Sequence, residues 1–217
     1  MTIRVCLADD HSVVRDGLRF LLEAKGDIAV VGAAPDGRQA VLQAQQLRPD
    51  VVIMDIAMPE LNGIEATVQI RATCPDTEVI ILSMHSTSEH VFRAFQAGAR
   101  GYLLKESAGA EVVSAVRAVH AGRRYLSARI AEQGLAVVSR SGQASPGQSP
   151  IERLTGRERE ILQLVVEGQS SAEIAERLYL STKTVETYRS RLMQKLSVSD
   201  LPSLVKFAIE HGLTPPA

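Results

Sequence analysis

The chain has 217 residues, 45% of them hydrophobic and 23% charged, enough for one large or two ordinary domains with buried cores. A formal net charge of -1 excludes recognition of a polyanion by bulk charge, and residues 151–217 balance nine basic against nine acidic side chains, so any nucleic-acid case must rest on local arrangement. Charges punctuate every apolar stretch, which excludes a membrane-spanning helix.

The first residues, Met1-Thr2-Ile3-Arg4, run straight into a strand-like segment with no signal-peptide pattern, so a cytoplasmic protein is expected. Up to about residue 126, short β-branched runs alternate with helical patterns. The expected strands are 3–8, 28–33, 50–55, 78–82 and 100–103, and the expected helices 12–24, 37–47, 63–72, 87–97 and 109–121. Val51-Val52-Ile53-Met54 does not alternate with polar residues, which suits a strand covered on both faces. Together these predict a doubly wound α/β domain on a five-stranded parallel sheet over 1–126. Gly26, Gly98 and Gly122 stand where helix C-caps are expected. Cys6 and Cys74, each in or beside an apolar segment, read as free thiols of a reducing compartment.

Residues 127–150 read as a linker with a short helix in 127–138, followed by a Ser-, Gly- and Pro-rich stretch over 139–150. From 151 to 217 the pattern is all helical. Thr155-Gly156-Arg157-Glu158 and Ser170-Ser171-Ala172-Glu173 are capping boxes, and Ser181 can cap a third helix over 182–196 after a tight turn. Helix, tight turn, helix is the spacing of a helix-turn-helix, and a fourth helix follows over about 200–211.

In an open parallel sheet, ligands bind beyond the carboxyl ends of the strands, where the strand order reverses. Asp9, Asp10, Asp55, Ser83 and Lys105 all fall at such ends. Converging carboxylates repel one another, and a hard divalent cation such as Mg²⁺ relieves that repulsion while recruiting phosphoryl oxygens. A carboxylate there can act as nucleophile and form an aspartyl phosphate, with an amine and a hydroxyl stabilising the phosphoryl charge. Asp10 could instead cap the helix at Ser12, and Lys105, Ser83 or Tyr102 alone would say little. The five histidines show no metal-ligand spacing and are assigned no chemistry. Pro59-Glu60-Leu61-Asn62-Gly63 reads as a turn whose permissive backbone comes from Asn62-Gly63.

These segments resemble the receiver domain of bacterial two-component systems, of the NarL/FixJ subfamily. The similarity lies in Leu7-Ala8-Asp9-Asp10-His11, in Met54-Asp55-Ile56-Ala57-Met58-Pro59-Glu60-Leu61-Asn62-Gly63, in Leu82-Ser83 and in Gly101-Tyr102-Leu103-Leu104-Lys105. The resemblance implies a flavodoxin-like fold with Asp55 as phosphoacceptor. It implies Mg²⁺ held by Asp9, Asp10, Asp55 and the backbone carbonyl of Ala57, contact of Ser83 and Lys105 with the phosphoryl group, and Tyr102 as a switch aromatic moving with Ser83.

On the helix 182–196, Val185, Tyr188, Leu192 and Leu196 share an inward face, leaving Lys183, Glu186, Thr187, Ser190, Arg191 and Gln194 outside and Arg189 near the border. Lys183, Arg189, Arg191 and Lys195 against Glu186 give a local charge of +3, which attracts phosphate. Arg and Lys can read guanine edges, and Glu can accept from cytosine. The stretches Leu154 to Leu162, Ile174-Ala175 and Ser181 to Arg189, with Lys195-Leu196, resemble the LuxR-type helix-turn-helix. By that resemblance 182–196 is the recognition helix, with Tyr188 where a histidine is frequent, and the fourth helix is a common dimer surface; its Leu204, Val205, Ala208 and Ile209 are compatible with that, although intradomain packing is expected of most of them.

The expected function is a response regulator: a sensor histidine kinase phosphorylates Asp55, which controls homodimerisation and sequence-specific binding of double-stranded DNA. RNA polymerase is a further candidate partner. The chain is expected not to be an enzyme, although Asp55 accepts a phosphoryl group and loses it slowly. An aspartyl-phosphate phosphatase would commonly need an acid two residues after the nucleophile, where Ala57 stands. A phosphorylation-independent adaptor would have no need of all five of Asp9, Asp10, Asp55, Ser83 and Lys105.

Overall fold

The computed structural model describes residues 2–133, 150–211 and 213, so the linker expected over 139–150 lies outside the described residues except for Pro150. The first domain runs β1 (Ile3–Ala8), α1 (Ser12–Glu23), β2 (Ile28–Ala34), α2 (Gly37–Leu47), β3 (Val51–Asp55), α3 (Gly63–Thr73), β4 (Glu78–Ser83), α4 (Ser88–Gln96), β5 (Gly101–Leu104), α5 (Ala108–His120), β6 (Tyr125–Leu126) and α6 (Ala128–Gln133). The sheet order is β2-β1-β3-β4-β5-β6 and every pairing is parallel. The sequence predicts five strands, and six are present among the described residues. The sixth pairs Tyr125 and Leu126 with Gly101 and Tyr102, and two residues are too few to show a period of their own.

The apolar runs follow from burial on both faces. Val5, Leu7, Val51 and Ile53 point into a core shared with Leu18 and Leu22 of α1 and Val112 and Val116 of α5. Their neighbours Cys6, Ala8, Val52 and Met54 point the other way, into a core shared with α2, α3 and α4. Both cysteines are buried and free, and burial lifts the Cys6 thiol to about 12. Gly98 and Gly122 follow the C-caps of α4 and α5 in the left-handed region, with φ of 100° and 76°.

The C-terminal domain opens with a 3-10 turn (Pro150–Arg153) and continues as α7 (Gly156–Val166), α8 (Ser171–Leu178), α9 (Thr182–Leu196) and α10 (Leu201–Glu210). Both capping boxes form, at Thr155/Glu158 and Ser170/Glu173, and the Ser181 side chain accepts from the Thr184 amide. Ile161, Leu162, Ile174, Val185, Leu192 and Leu196 fill the centre of this domain. Leu204 and Ala208 of α10 are buried in the same core, so these two serve intradomain packing. No helix among the described residues is long and apolar enough to cross a membrane.

The two domains touch. Helix α7 lies against the loop between β3 and α3 and against α2 and α3 themselves, through Gln163, Arg159 and Glu160.

Candidate functional site

The strand order reverses between β1 and β3, and the carboxyl ends of those strands carry Asp9 and Asp55. Both side chains are buried, at 1% and 3% exposure, while Asp10 beside them is half-buried. Lys105, just past β5, reaches across to place Nζ 2.7 Å from Asp55 Oδ2 and 2.8 Å from Asp9 Oδ2. Burial and the neighbouring Asp9 and Asp10 charges outweigh Lys105 and raise the Asp55 carboxyl to about 6. Burial would lower the Lys105 pKa, but the Asp55 and Asp9 charges prevail and the net direction is upward.

The sequence gives His11 no chemistry, and the structure sets it beside these carboxylates. Its Nδ1 stands 2.7 Å from Asp10 Oδ1 and 3.2 Å from Asp9 Oδ1, and it belongs to the Asp9, Asp10, His11 and Asp55 group that could hold a metal ion. His11, not Asp10, is also the N-cap residue of α1, and its side chain makes no capping bond, so helix capping does not account for Asp10. The donor set tests whether a hard cation fits. Three carboxylates converge, and the buried Asp9 Oδ2 and Asp10 Oδ1 complete no hydrogen bond, having only the Lys105 and His11 nitrogens beside them. Oxygen-rich, undersatisfied and net negative, the pocket suits Mg²⁺.

Around it the loop 56–62 is held without slack. Asn62 caps α3, its Oδ1 accepting from the Ile64 and Glu65 amides, and the Gly63 amide donates to the Ile56 carbonyl at 2.9 Å. A Cβ on Gly63 would sit 1.9 Å from the Asp55 carbonyl oxygen, and one on Gly37 2.0 Å from that of Leu61. The turn expectation therefore needs correcting: Gly63 is required for close approach, while Glu60, at φ 70°, takes the left-handed position. Ala57 lies on this loop two residues beyond Asp55, half-buried.

Ser83 ends β4 and Tyr102 lies in β5, both buried. Ser83 Oγ accepts from the His85 amide at 3.0 Å, and the Tyr102 hydroxyl donates to the His85 carbonyl at 2.8 Å. The backbone of one residue, His85, thus ties the two together, and burial pushes the Tyr102 phenol up to about 12. Nothing in the sequence marks His85, because its backbone rather than its side chain does the linking.

On α9, Lys183, Glu186, Thr187 and Arg191 are exposed as expected, and Thr187 Oγ1 donates back to the Lys183 carbonyl. Two basic residues of the same helix are engaged within the domain. Arg189 donates to Ser171 Oγ at 3.1 Å, and Lys195 places Nζ 2.7 and 2.8 Å from the carboxylate oxygens of the buried Glu158.

The interdomain contacts centre on Gln163, which is fully buried. Its Nε2 donates to the Met58 carbonyl at 2.7 Å, and its Oε1 accepts from the Asn62 amide at 2.7 Å and from Asn62 Nδ2 at 3.3 Å. Glu167 accepts from the Glu60 amide at 3.1 Å. Arg159 pairs with Glu65 at 2.5 Å, Arg38 with Glu160 at 2.6 Å, and Arg177 with Glu60. Sequence reading missed these residues, since an amide on an apolar helix face carries no motif.

A family model described as the response regulator receiver domain matches residues 5–117, and one described as bacterial regulatory proteins of the luxR family matches 152–208. The transcriptional regulatory protein LiaR of Bacillus subtilis is 42% identical over 97% of this chain and 99% of its own length. A two-component response regulator of the LuxR family from an Aurantimonas species superposes with a TM-score of 0.60 at 39% identity, covering 66% of this chain and 100% of that one. A complex of the response regulator RcsB with DNA gives 0.59 at 26% identity, covering 95% and 98%.

Proposed function

This chain belongs to the two-component response regulators that join a receiver domain to a LuxR-type DNA-binding domain, and we propose that Asp55 is the phosphoacceptor through which it responds. It is a DNA-binding regulator of transcription and not an enzyme in the metabolic sense. The observation that carries the reading is the meeting of Asp9, Asp55 and Lys105 within 2.7–2.8 Å at the reversal of strand order. A sensor kinase is the phosphoryl source that a receiver implies, and the absence of an acid at Ala57 favours acceptance over rapid hydrolysis.

Asp9, Asp10, Asp55 and the Ala57 carbonyl would hold Mg²⁺, which neutralises phosphoryl oxygens when bound. Within the chain, Lys105 supplies a fixed positive charge to the same oxygens and orients the Asp55 carboxylate for attack on phosphorus. Ser83 exchanges its place beside the His85 amide for a phosphoryl oxygen, and Tyr102, bonded to the carbonyl of the same residue, is the group that follows. Lys183, Glu186, Thr187 and Arg191 face the DNA, while Arg189 and Lys195 act mainly by fixing α9 within its domain. Phosphorylation favours a homodimer whose two recognition helices read paired half-sites, with RNA polymerase as a downstream contact in a cytoplasmic setting.

Incubation with acetyl phosphate and Mg²⁺ followed by intact-mass measurement tests the assignment. One phosphoryl adduct is expected on the native chain and none on Asp55→Asn or in excess chelator. Undiminished incorporation in either case sinks it.

A further inference from the structure

We infer that Gln163 is a positioning residue which locks the DNA-binding domain onto the Ile56–Asn62 loop, and that this lock governs the pairing of two DNA-binding domains rather than the access of one to DNA. The inference rests on Asp55 as phosphoacceptor.

The first half follows from what the loop is tied to at each end. Its N-terminal end is the residue after Asp55, and its C-terminal end is the Asn62 cap of α3. Gln163 grips it from the other domain at Met58 and Asn62, the two ends of a five-residue span. A loop with room could absorb a change at Asp55 before it reached Met58. This one has little room, because the Gly63 and Gly37 backbones already touch the Asp55 and Leu61 carbonyls. Movement of the Ala57 peptide, next in the chain to Met58, is therefore passed to the Met58 carbonyl. A hydrogen bond tolerates donor–acceptor distances of roughly 2.7–3.2 Å. The Gln163 bonds to Met58 and to the Asn62 amide both stand at 2.7 Å, so displacement by about 1 Å breaks them. Buried amide groups that lose their partners are costly, and the contact opens rather than stretches. Glu167 at the Glu60 amide and Arg177 at the Glu60 carboxylate depend on the same loop.

The second half follows from which face of the C-terminal domain is used. The receiver is gripped by α7, by Arg177 of α8 and by the C-cap of α10, where the His211 carbonyl accepts from Arg93 at 3.0 Å. Lys183, Glu186, Thr187 and Arg191 of α9 remain exposed with the two domains in contact. The contact does not cover the residues that would enter a groove, so opening it uncovers nothing that a single half-site needs. What it fixes is the orientation of each DNA-binding domain on its own receiver. Two half-sites demand two such domains at a set spacing of about one helical turn. Domains locked to their receivers lack the freedom to meet that spacing, and unlocked ones have it.

The test uses the full chain and duplexes selected from a random-sequence pool with acetyl-phosphate-treated protein. A selected two-arm duplex is compared with the same duplex scrambled in one arm. The variants are Gln163→Glu, which removes the donor to Met58 and adds charge beside Glu167, and Glu65→Arg and Arg159→Glu, singly and combined. Domain separation is followed by small-angle X-ray scattering and affinity by fluorescence anisotropy. Without phosphodonor, Gln163→Glu and each single charge reversal are expected to expand the molecule. Their two-arm affinity should rise by about 5–150-fold, the usual range of a coupling free energy, with one-arm affinity within about twofold of the native chain. The combined reversal, which restores an ion pair, should return both readings to native values. A rise in one-arm affinity equal to that on two arms overturns the inference in favour of masking. Expansion without any two-arm gain overturns it as well. These variants need no phosphoryl group, so failure of the Asp55 assignment shows separately in the intact-mass measurement.

Discussion

The carboxyl edge of the receiver sheet and the outer face of helix α9 were both read as charged functional surfaces, yet the structure treats them differently. At the sheet edge, residues from three strands arrive in one place: Asp9, Asp55 and Lys105 meet within 2.7–2.8 Å although up to 96 positions separate them in sequence. On α9, residues within one 15-residue helix divide. Lys183 and Arg191 stand free of the domain, while Lys195 and Arg189 turn to Glu158 and Ser171. Parallel topology forces every strand's carboxyl end to the same side, so convergence is dictated by the order of elements. Helical period gives the face of a residue but not its partner. A long basic side chain at the border of a face goes to whichever acid lies within reach.

The largest expected effect bears on the sheet edge. Gly63→Ala puts a methyl 1.9 Å from the backbone carbonyl of Asp55, where no flexible side chain can yield. Relief requires the loop or the start of α3 to move, and a loss of about 3 kcal/mol of stability is expected, at the upper end of overpacking costs. Urea unfolding of the two proteins measures it. The same substitution at Gly109, where a Cβ would meet nothing within 4 Å, provides the control and should be neutral or slightly stabilising. Equal stability of Gly63→Ala and the native protein would mean that the loop has slack, and would weaken the contrast with α9.

Much of this was legible in the sequence. The alternation of strands and helices, the strand-end acids and the two capping boxes each have a local signature, and each appears where expected. The missed features share one physical character. Strand β6 has two residues, Gln163 acts through a single amide, and His85 contributes only its backbone. None alters periodicity or charge pattern, so each becomes visible only when the chain is folded. Asn62-Gly63 was legible as special but for the wrong reason, because close approach and positive φ both select glycine.

The comparison sharpens further if the basic residues of α9 are separated by two readouts. Lys183→Ala and Arg191→Ala are expected to weaken DNA binding by about 1–3 kcal/mol each with unchanged stability. Lys195→Ala should do the reverse. It strips the buried Glu158 of its charged partner, costing about 2 kcal/mol of folding stability, while DNA affinity shifts by less than about threefold. Thermal unfolding and anisotropy titration on the selected duplex separate the two. Loss of DNA affinity without loss of stability in Lys195→Ala would return that residue to the DNA-facing set.

The smallest effect concerns the stability that the sheet edge gives up for its chemistry. Asp55 has a carboxyl raised from 3.8 to about 6, chiefly by burial. Between those values the folded protein retains a proton that the unfolded chain has released, so rising pH favours the unfolded state across this window. Above about 6 the full cost of the buried charge is present. A rise of about two, at roughly 1.4 kcal/mol each, sets a ceiling near 3 kcal/mol. Replacement by Asn removes the charge but keeps a polar group to desolvate, and it takes one partner from Lys105. The expected net gain for Asp55→Asn is therefore on the order of 1 kcal/mol at pH 7 in metal-free buffer. Urea titrations at intervals from pH 4 to pH 7 should show the gain absent at the acid end and growing through the window. Lys183 and Arg191 of α9 are exposed and bury no charge of this kind. A gain that is constant across the pH range would instead mean that the carboxylate is ionised throughout, with Lys105 and not burial deciding its state.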